Sequence, residues 1–230
     1  GAHPPQRRPR PAPRPVGVGD RLLSAMAGAR AEGAAASLGR SCVTAALPLE
    51  RCLVEYCAPT LAGIKTASMF CIPLEDAGCL EAQVAQWDAA LRGKGLSLRM
   101  LRRQGDRALL YLFRPARLQQ DLDQPGARSL LARYGYRAFQ AEEALAQLQT
   151  RLREQGGFPH EIGLFLGYPL GDVAGFIRNR GKNCKCSGCW KVYCNELEAQ
   201  KRFAQIQKCR QVYTRLWTQG RSLWQLTVAA

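Results

Sequence analysis

The stretch from Phe158 to Cys194, FPHEIGLFLGYPLGDVAGFIRNRGKNCKCSGCWKVYC, constrains this chain more than any other. It joins a compact apolar segment, broken at Gly167-Tyr168-Pro169, to four cysteines set among lysines. Pro159 suits a first helical turn and Glu161 favours the positive end of a helix. The pattern therefore predicts one helix ending at Gly167 and a second from about Pro169 to Asn179. Gly163 lets them approach, and Ile162, Leu166, Val173 and Phe176 form their shared core. On a helix-turn-helix template the second helix would have to turn Arg, Asn, Gln or Ser toward base edges. Its outward positions are Gly171, Asp172, Ala174 and Gly175, and basic residues begin only at Arg178. A tightly packed structural pair is the expectation.

The cysteines follow as C-x-C-x2-C-x4-C. Cys186-Ser187-Gly188-Cys189 is a tight turn that can aim two thiolates at one Zn²⁺, with Cys184 and Cys194 (or Cys209) completing a tetrahedron. Four thiolates equally suit an iron–sulfur cluster. Lys182, Lys185 and Lys191 are expected to favour the thiolate form. The chain has ten cysteines, and nothing before Cys42 reads as a secretion signal with a clean apolar core. Reduced or metal-bound thiols are thus expected rather than disulfides. The expected metal ligands are Cys184, Cys186, Cys189 and Cys194, against the alternative of plain thiols in a loop. A redox role for the C-x-x-C pair lacks the usual βαβ surroundings.

Other chemistry has few candidates. Of the two histidines, His3 and His160, only His160 lies in a foldable segment. Glu161 beside it points about 100° away on a helix, and the pair lacks the HExxH spacing that sets two ligands on one face. A capping or core role for His160 is expected. Lys65 falls within Leu61–Cys71, read as a buried strand opened by Pro59. A lysine there is costly unless its ammonium reaches solvent or an anion. Lys65, His160 and Glu161 are the candidate catalytic residues.

The remaining pattern predicts an α+β fold, a mostly antiparallel sheet of three or four strands packed with helices. Residues 1–40, rich in Pro, Arg, Ala and Gly, read as a disordered tail. Residues 41–230 read as one domain, with a sheet-containing half to 125 and a mainly helical half from 126 that carries the Cys-rich loop 182–194. Helices are expected at 43–56, 74–92, 127–134, 139–154 and 196–219, with a short one ending near Gln124. Strands Leu96–Arg103 and Arg107–Arg114 are joined at Gln104-Gly105-Asp106, a hairpin turn. The run ALLYLF in the second strand alternates poorly, which predicts cover on both faces. Leu197, Phe203, Ile206, Val212 or Tyr213, and Leu216 should face inward from the last long helix, and Leu223, Trp224 and Leu226 should dock on the core.

The net charge of +15 is uneven, with +7 over 92–117 and +9 over 178–230. Such patches favour anionic partners: nucleic acid, phosphorylated small molecules or acidic proteins. The hairpin's Arg99, Arg102, Arg103, Arg107 and Arg114 form an expected basic rim. Without base-reading residues, nucleic-acid binding should be weak and non-specific. No run of ~18 apolar residues occurs, so no membrane span is expected.

Three segments, CAPTLAGIKTAS, HEIGLFLGYPLGDVAGFI and GKNCKCSGCWKVY, in this order resemble an uncharacterised domain-of-unknown-function family of anaerobic, clostridia-like bacteria. The resemblance covers roughly residues 45–225. It implies a stand-alone cytoplasmic bacterial protein with no assigned activity, and it rests on Cys186 and Cys189 more than on Cys184 and Cys194. The expected function is metal or cluster binding in a binding or regulatory role. The alternatives are nucleic-acid binding through the basic patches and an enzyme acting on an anionic small molecule.

Overall fold

A computed structural model describes residues 49–74, 77–154 and 158–229. The 1–40 segment, Cys42 and the start of the first helix lie outside the described residues. The fold is α+β, as the sequence pattern predicts. Its centre is β3 (Arg107–Phe113), flanked antiparallel by β1 (Ala67–Pro73) and β2 (Ser97–Gln104) in the order β1-β3-β2. Phe113 stands opposite both Ala67 and Ser97, and Arg107 opposite Pro73 and Gln104. Gly105, with φ +55°, makes the β2–β3 turn.

Successive side chains of β3 leave opposite faces, and each face has its own core. Leu109, Tyr111 and Phe113 pack with α3 (Pro115–Asp123), α4 (Pro125–Arg133), α5 (Ala141–Glu154), α6 (Ile162–Phe165) and α7 (Leu170–Asn179). Ala108, Leu110 and Leu112 pack with α1 (Leu49–Leu61), α2 (Ala77–Arg92) and α9 (Leu223–Leu226). The poor alternation of ALLYLF thus records a strand covered on both sides. A bulge between Met100 and Arg102 shifts the register of β2, and Leu101 joins the Tyr111 face while Leu98 joins the Leu110 face.

Three expectations are corrected here. Pro59 lies inside α1 rather than opening a strand. It falls in the last turn, where its carbonyl accepts from Ile64 and Lys65 amides and folds the chain back. Lys65 consequently sits in the turn before β1, not within a strand. Among the described residues, four of the five hairpin arginines are engaged within the fold rather than forming a free basic rim, Arg107 being the exception. Arg114 is 3% exposed and donates to the Thr60, Leu61 and Val228 carbonyls. Arg102 is buried on the Leu152 carbonyl, while Arg99 pairs with Asp88 and Glu142 and Arg103 with Glu81. Leu197, expected inward, is 65% exposed in the first turn of α8 (Glu196–Thr218).

The long helix is capped by Asn195, whose side chain accepts from the Glu198 amide. Its Tyr213, Leu216 and Trp217 pack on the α1/α2 core. The chain then docks as expected through Leu223 and Leu226, although Trp224 stays 45% exposed beneath the Lys94 ammonium. No helix among the described residues is long and apolar enough to cross a membrane.

Candidate functional site

The segment after α7 folds as a small knuckle, β4 (Cys186–Ser187) paired antiparallel with β5 (Lys191–Val192). Trp190 and Val192 are buried with Ala199 and Ile206 of α8, and Phe203 meets the Trp190 ring edge-on. Asp172, expected to point outward, is 4% exposed and holds the knuckle to α7. Its carboxylate accepts from Trp190 Nε1 at 2.8 Å and from the Tyr193 and Cys194 amides at 2.8 and 2.9 Å. A Cβ on Gly171 would lie 2.5 Å from Cys194 Sγ, and one on Gly175 would lie 2.4 Å from Tyr193 Cβ. The positions that a helix-turn-helix would offer to DNA are therefore the seat of the knuckle.

This seating also fixes the cysteines. The nine described cysteines are unbridged thiols. Cys186 lies near Cys184 and the Glu196 carboxylate, and burial is the main cause that pushes its pKa up. Cys189 packs into the Trp190 core within electrostatic reach of Arg210 and Lys65, and burial pushes it up as well. Cys194 rests against Gly171, and Cys209 on α8 is pushed up to about 11 by burial. Lys185 and Lys191 donate to the Cys194 and Gly181 carbonyls instead of attending a thiolate. Among the described residues no three His, Cys, Asp or Glu side chains are grouped so as to hold a metal ion.

His160 and Glu161 separate. His160 is exposed against the Phe176 ring, so it is not a core residue. Glu161 is 0% exposed and accepts from Arg151 Nε at 2.7 Å and, at 3.3 Å, from the Tyr136 hydroxyl.

Lys65 opens onto a different feature, a cleft of about 380 Å³ between the 64–66 turn, α3, the 167–170 turn and α8. The volume is within the ~300–1,000 Å³ of small-molecule sites. Each of the three segments singled out from the sequence supplies a wall: Lys65 and Thr66, then Gly167 to Leu170, then Trp190. Tyr168 stacks on Trp190 with ring centroids 5.2 Å apart, and the Lys65 ammonium lies 5.2 Å from the Tyr168 centroid. Gly167, at φ +68°, adopts a conformation suited to glycine, and a Cβ there would meet Thr66 Oγ1 at 2.5 Å.

Arg117, Asp121, Arg202 and Gln205, with Gln124 at the end of α3, complete the polar lining. Arg117, Asp121 and Gln205 carry no local signal in the sequence, and Arg202 reads there only as one of the basic residues on the outer face of the last helix; the tertiary fold brings them together. Asp121 accepts from the Thr66 hydroxyl at 2.6 Å. Burial raises the Asp121 pKa despite that bond and the nearby Arg117 and Arg202. Arg117 donates to the Gly63 carbonyl. Burial brings Lys65 down to about 8, with Arg210 acting in the same direction against the opposing pull of Cys189 and Cys57. Among the described residues neither Lys65 nor Arg202 has an ion-pair partner, and the buried Nε of Arg210 has no hydrogen-bond partner.

The cleft thus combines three cations, one desolvated carboxylate and an aromatic wall. Neither a curated protein nor a solved structure matches the chain. A family model described as "Protein of unknown function (DUF3793)" matches residues 53–227, a span that takes in every wall of the cleft, and the chain belongs to that family.

Proposed function

We propose that this protein binds a small anionic metabolite in the Lys65 cleft. The observation that carries the reading is the charge count of the lining: Lys65, Arg117 and Arg202 against Asp121 alone. Cations gathered without matching acids repel one another, and desolvation adds to the cost. A bound phosphate or carboxylate offsets both, and paired arginines suit such oxyanions by their planar donor fork. The cleft's volume suits a metabolite rather than a polymer. This keeps Lys65 and the anionic small molecule of the enzyme alternative raised from the sequence, without His160, and sets the lysine in a turn with Arg117 and Arg202 in the same lining.

Arg202 is exposed and makes no ion pair among the described residues, so Arg202→Gln should fold normally. Inorganic phosphate and pyrophosphate are the probes, with chloride at equal ionic strength as control. A ligand at 100 times its Kd stabilises the native state by about 2.7 kcal/mol. The wild type should gain several degrees in Tm with one of these probes, and the Arg202→Gln protein less than half of that gain. Identical shifts in both proteins, or none beyond the chloride control, would refute the site.

A further inference from the structure

We propose that Lys65 is an imine-forming lysine and that the cleft's ligand is a small carbonyl compound carrying an anionic group; this rests on the anion-binding reading of the same cleft. The placement of Lys65 is the first ground. Its ammonium lies 5.2 Å from the centroid of the Tyr168 ring and lines the cleft. Among the described residues it has no side-chain hydrogen bond and no acidic partner. The acid in the lining, Asp121, is engaged by Thr66 and lies within reach of Arg117 and Arg202. A lysine serving a structural salt bridge would have a carboxylate beside it, whereas this one has the Arg210 charge.

Desolvation and a neighbouring cation are two arrangements that make a lysine amine nucleophilic; Lys65 is half-buried against the Tyr168 ring and feels the Arg210 charge. With its pKa at about 8, roughly one molecule in ten carries the neutral amine at pH 7. Arg117 and Arg202 then seat the anionic group of the ligand, leaving its carbonyl for the amine. The nitrogen lone pair of Lys65 forms a C–N bond to the carbonyl carbon as the C=O π pair moves to oxygen, which takes a proton while the nitrogen releases one. The resulting carbinolamine loses its hydroxyl as water, with one proton delivered to that oxygen and one lost from nitrogen. Amine and carbonyl thus become imine and water with no change of oxidation state. The two protons that oxygen takes equal the two that nitrogen releases, so the step needs no further acid.

The test incubates the full chain with pyridoxal 5′-phosphate, which joins an aldehyde to a phosphate, and separately with pyruvate. Borohydride then fixes any imine, and peptide mass spectrometry locates it. Lys65 should be labelled at least about tenfold faster than exposed lysines such as Lys201 and Lys208, because its neutral fraction is larger. Pyruvate should label Lys65 too, and inorganic phosphate should slow both reactions. Lys65→Arg should abolish the adduct yet keep the phosphate-induced rise in Tm, and Lys65→Met guards against a folding defect in the first variant. Label spread over exposed lysines, with Lys65 unmodified and phosphate stabilisation intact, overturns the imine proposal and leaves the anion site standing. Loss of both label and stabilisation overturns the two together.

Discussion

Replacing Asp172 with alanine should free the knuckle from the body of the protein and cost about 3 kcal/mol, since a buried donor left unsatisfied costs ~1–3 kcal/mol and three lose their acceptor. The three are Trp190 Nε1 and the Tyr193 and Cys194 amides, all within 2.9 Å of the carboxylate. Water can reach some of them once the knuckle lifts, which keeps the total below the sum of three full penalties. Asp172→Asn retains an acceptor but sets an amide against a donor, so an intermediate loss is expected. Denaturant unfolding gives the energy, and limited proteolysis gives the location, with new cleavage expected at the 182–191 lysines. An Asp172→Ala protein within 1 kcal/mol of wild type, with an uncut knuckle, would show that the Trp190 core holds this segment unaided.

A comparable loss is expected from Arg151→Met. Glu161 is fully buried, and Arg151 Nε is its closest partner at 2.7 Å. Arg151 also donates to the Tyr134 carbonyl and lies over the Tyr134 and Tyr136 rings. Removing one member of a buried pair leaves an uncompensated charge and costs about 3–5 kcal/mol. The cost belongs mostly to the stranded carboxylate, so adding Glu161→Gln to the Arg151→Met protein should restore part of it. Unfolding curves of the two single variants and the double variant test this as a cycle. A double variant no more stable than Arg151→Met would place the loss in the packing of the arginine stem instead.

The sequence exposed the architecture wherever periodicity alone decided it. Leu145, Leu148 and Leu152 mark the buried stripe of α5, and Gly105 marks the hairpin turn. The ALLYLF run of β3 signals two covered faces, and both cores form on it. Local pattern misleads where a residue's role depends on a distant neighbour. Pro59 looked like a break, but a proline in the last turn removes one amide from a helix that is ending anyway. Gly171 and Gly175 looked like empty outward positions on α7, because a glycine gives no sign of the side chain that fills its space. Tyr193 and Cys194 fill it.

The walls of the cleft lie in segments that the sequence singles out, but of its charged lining only Lys65 is conspicuous there, an isolated cation among apolar neighbours in the chain. Thr66 and Asp121 meet across 55 residues of chain, and Arg202 arrives on the last long helix. Nothing local distinguishes Arg117 or Arg202 from the other arginines of a strongly basic protein. The hairpin arginines, more conspicuous in sequence, are mostly consumed by carbonyls and carboxylates. The cysteine knuckle drew attention for its spacing, yet Trp190, Val192 and Asp172 give it an order that the composition of the loop did not foretell.

The central claim is that Lys65, Arg117 and Arg202 together hold an oxyanion. Diffraction from crystals soaked in selenate tests it most directly, because the anomalous signal of selenium locates a phosphate-like anion without reference to any assumed pose. The account predicts a selenate peak in the cleft within hydrogen-bonding distance of at least two of these three side chains, lost on competition with the stabilising phosphate probe. Selenate bound only on the outer face of α8, at Lys201, Lys208 or Arg215, with the cleft empty, would contradict it.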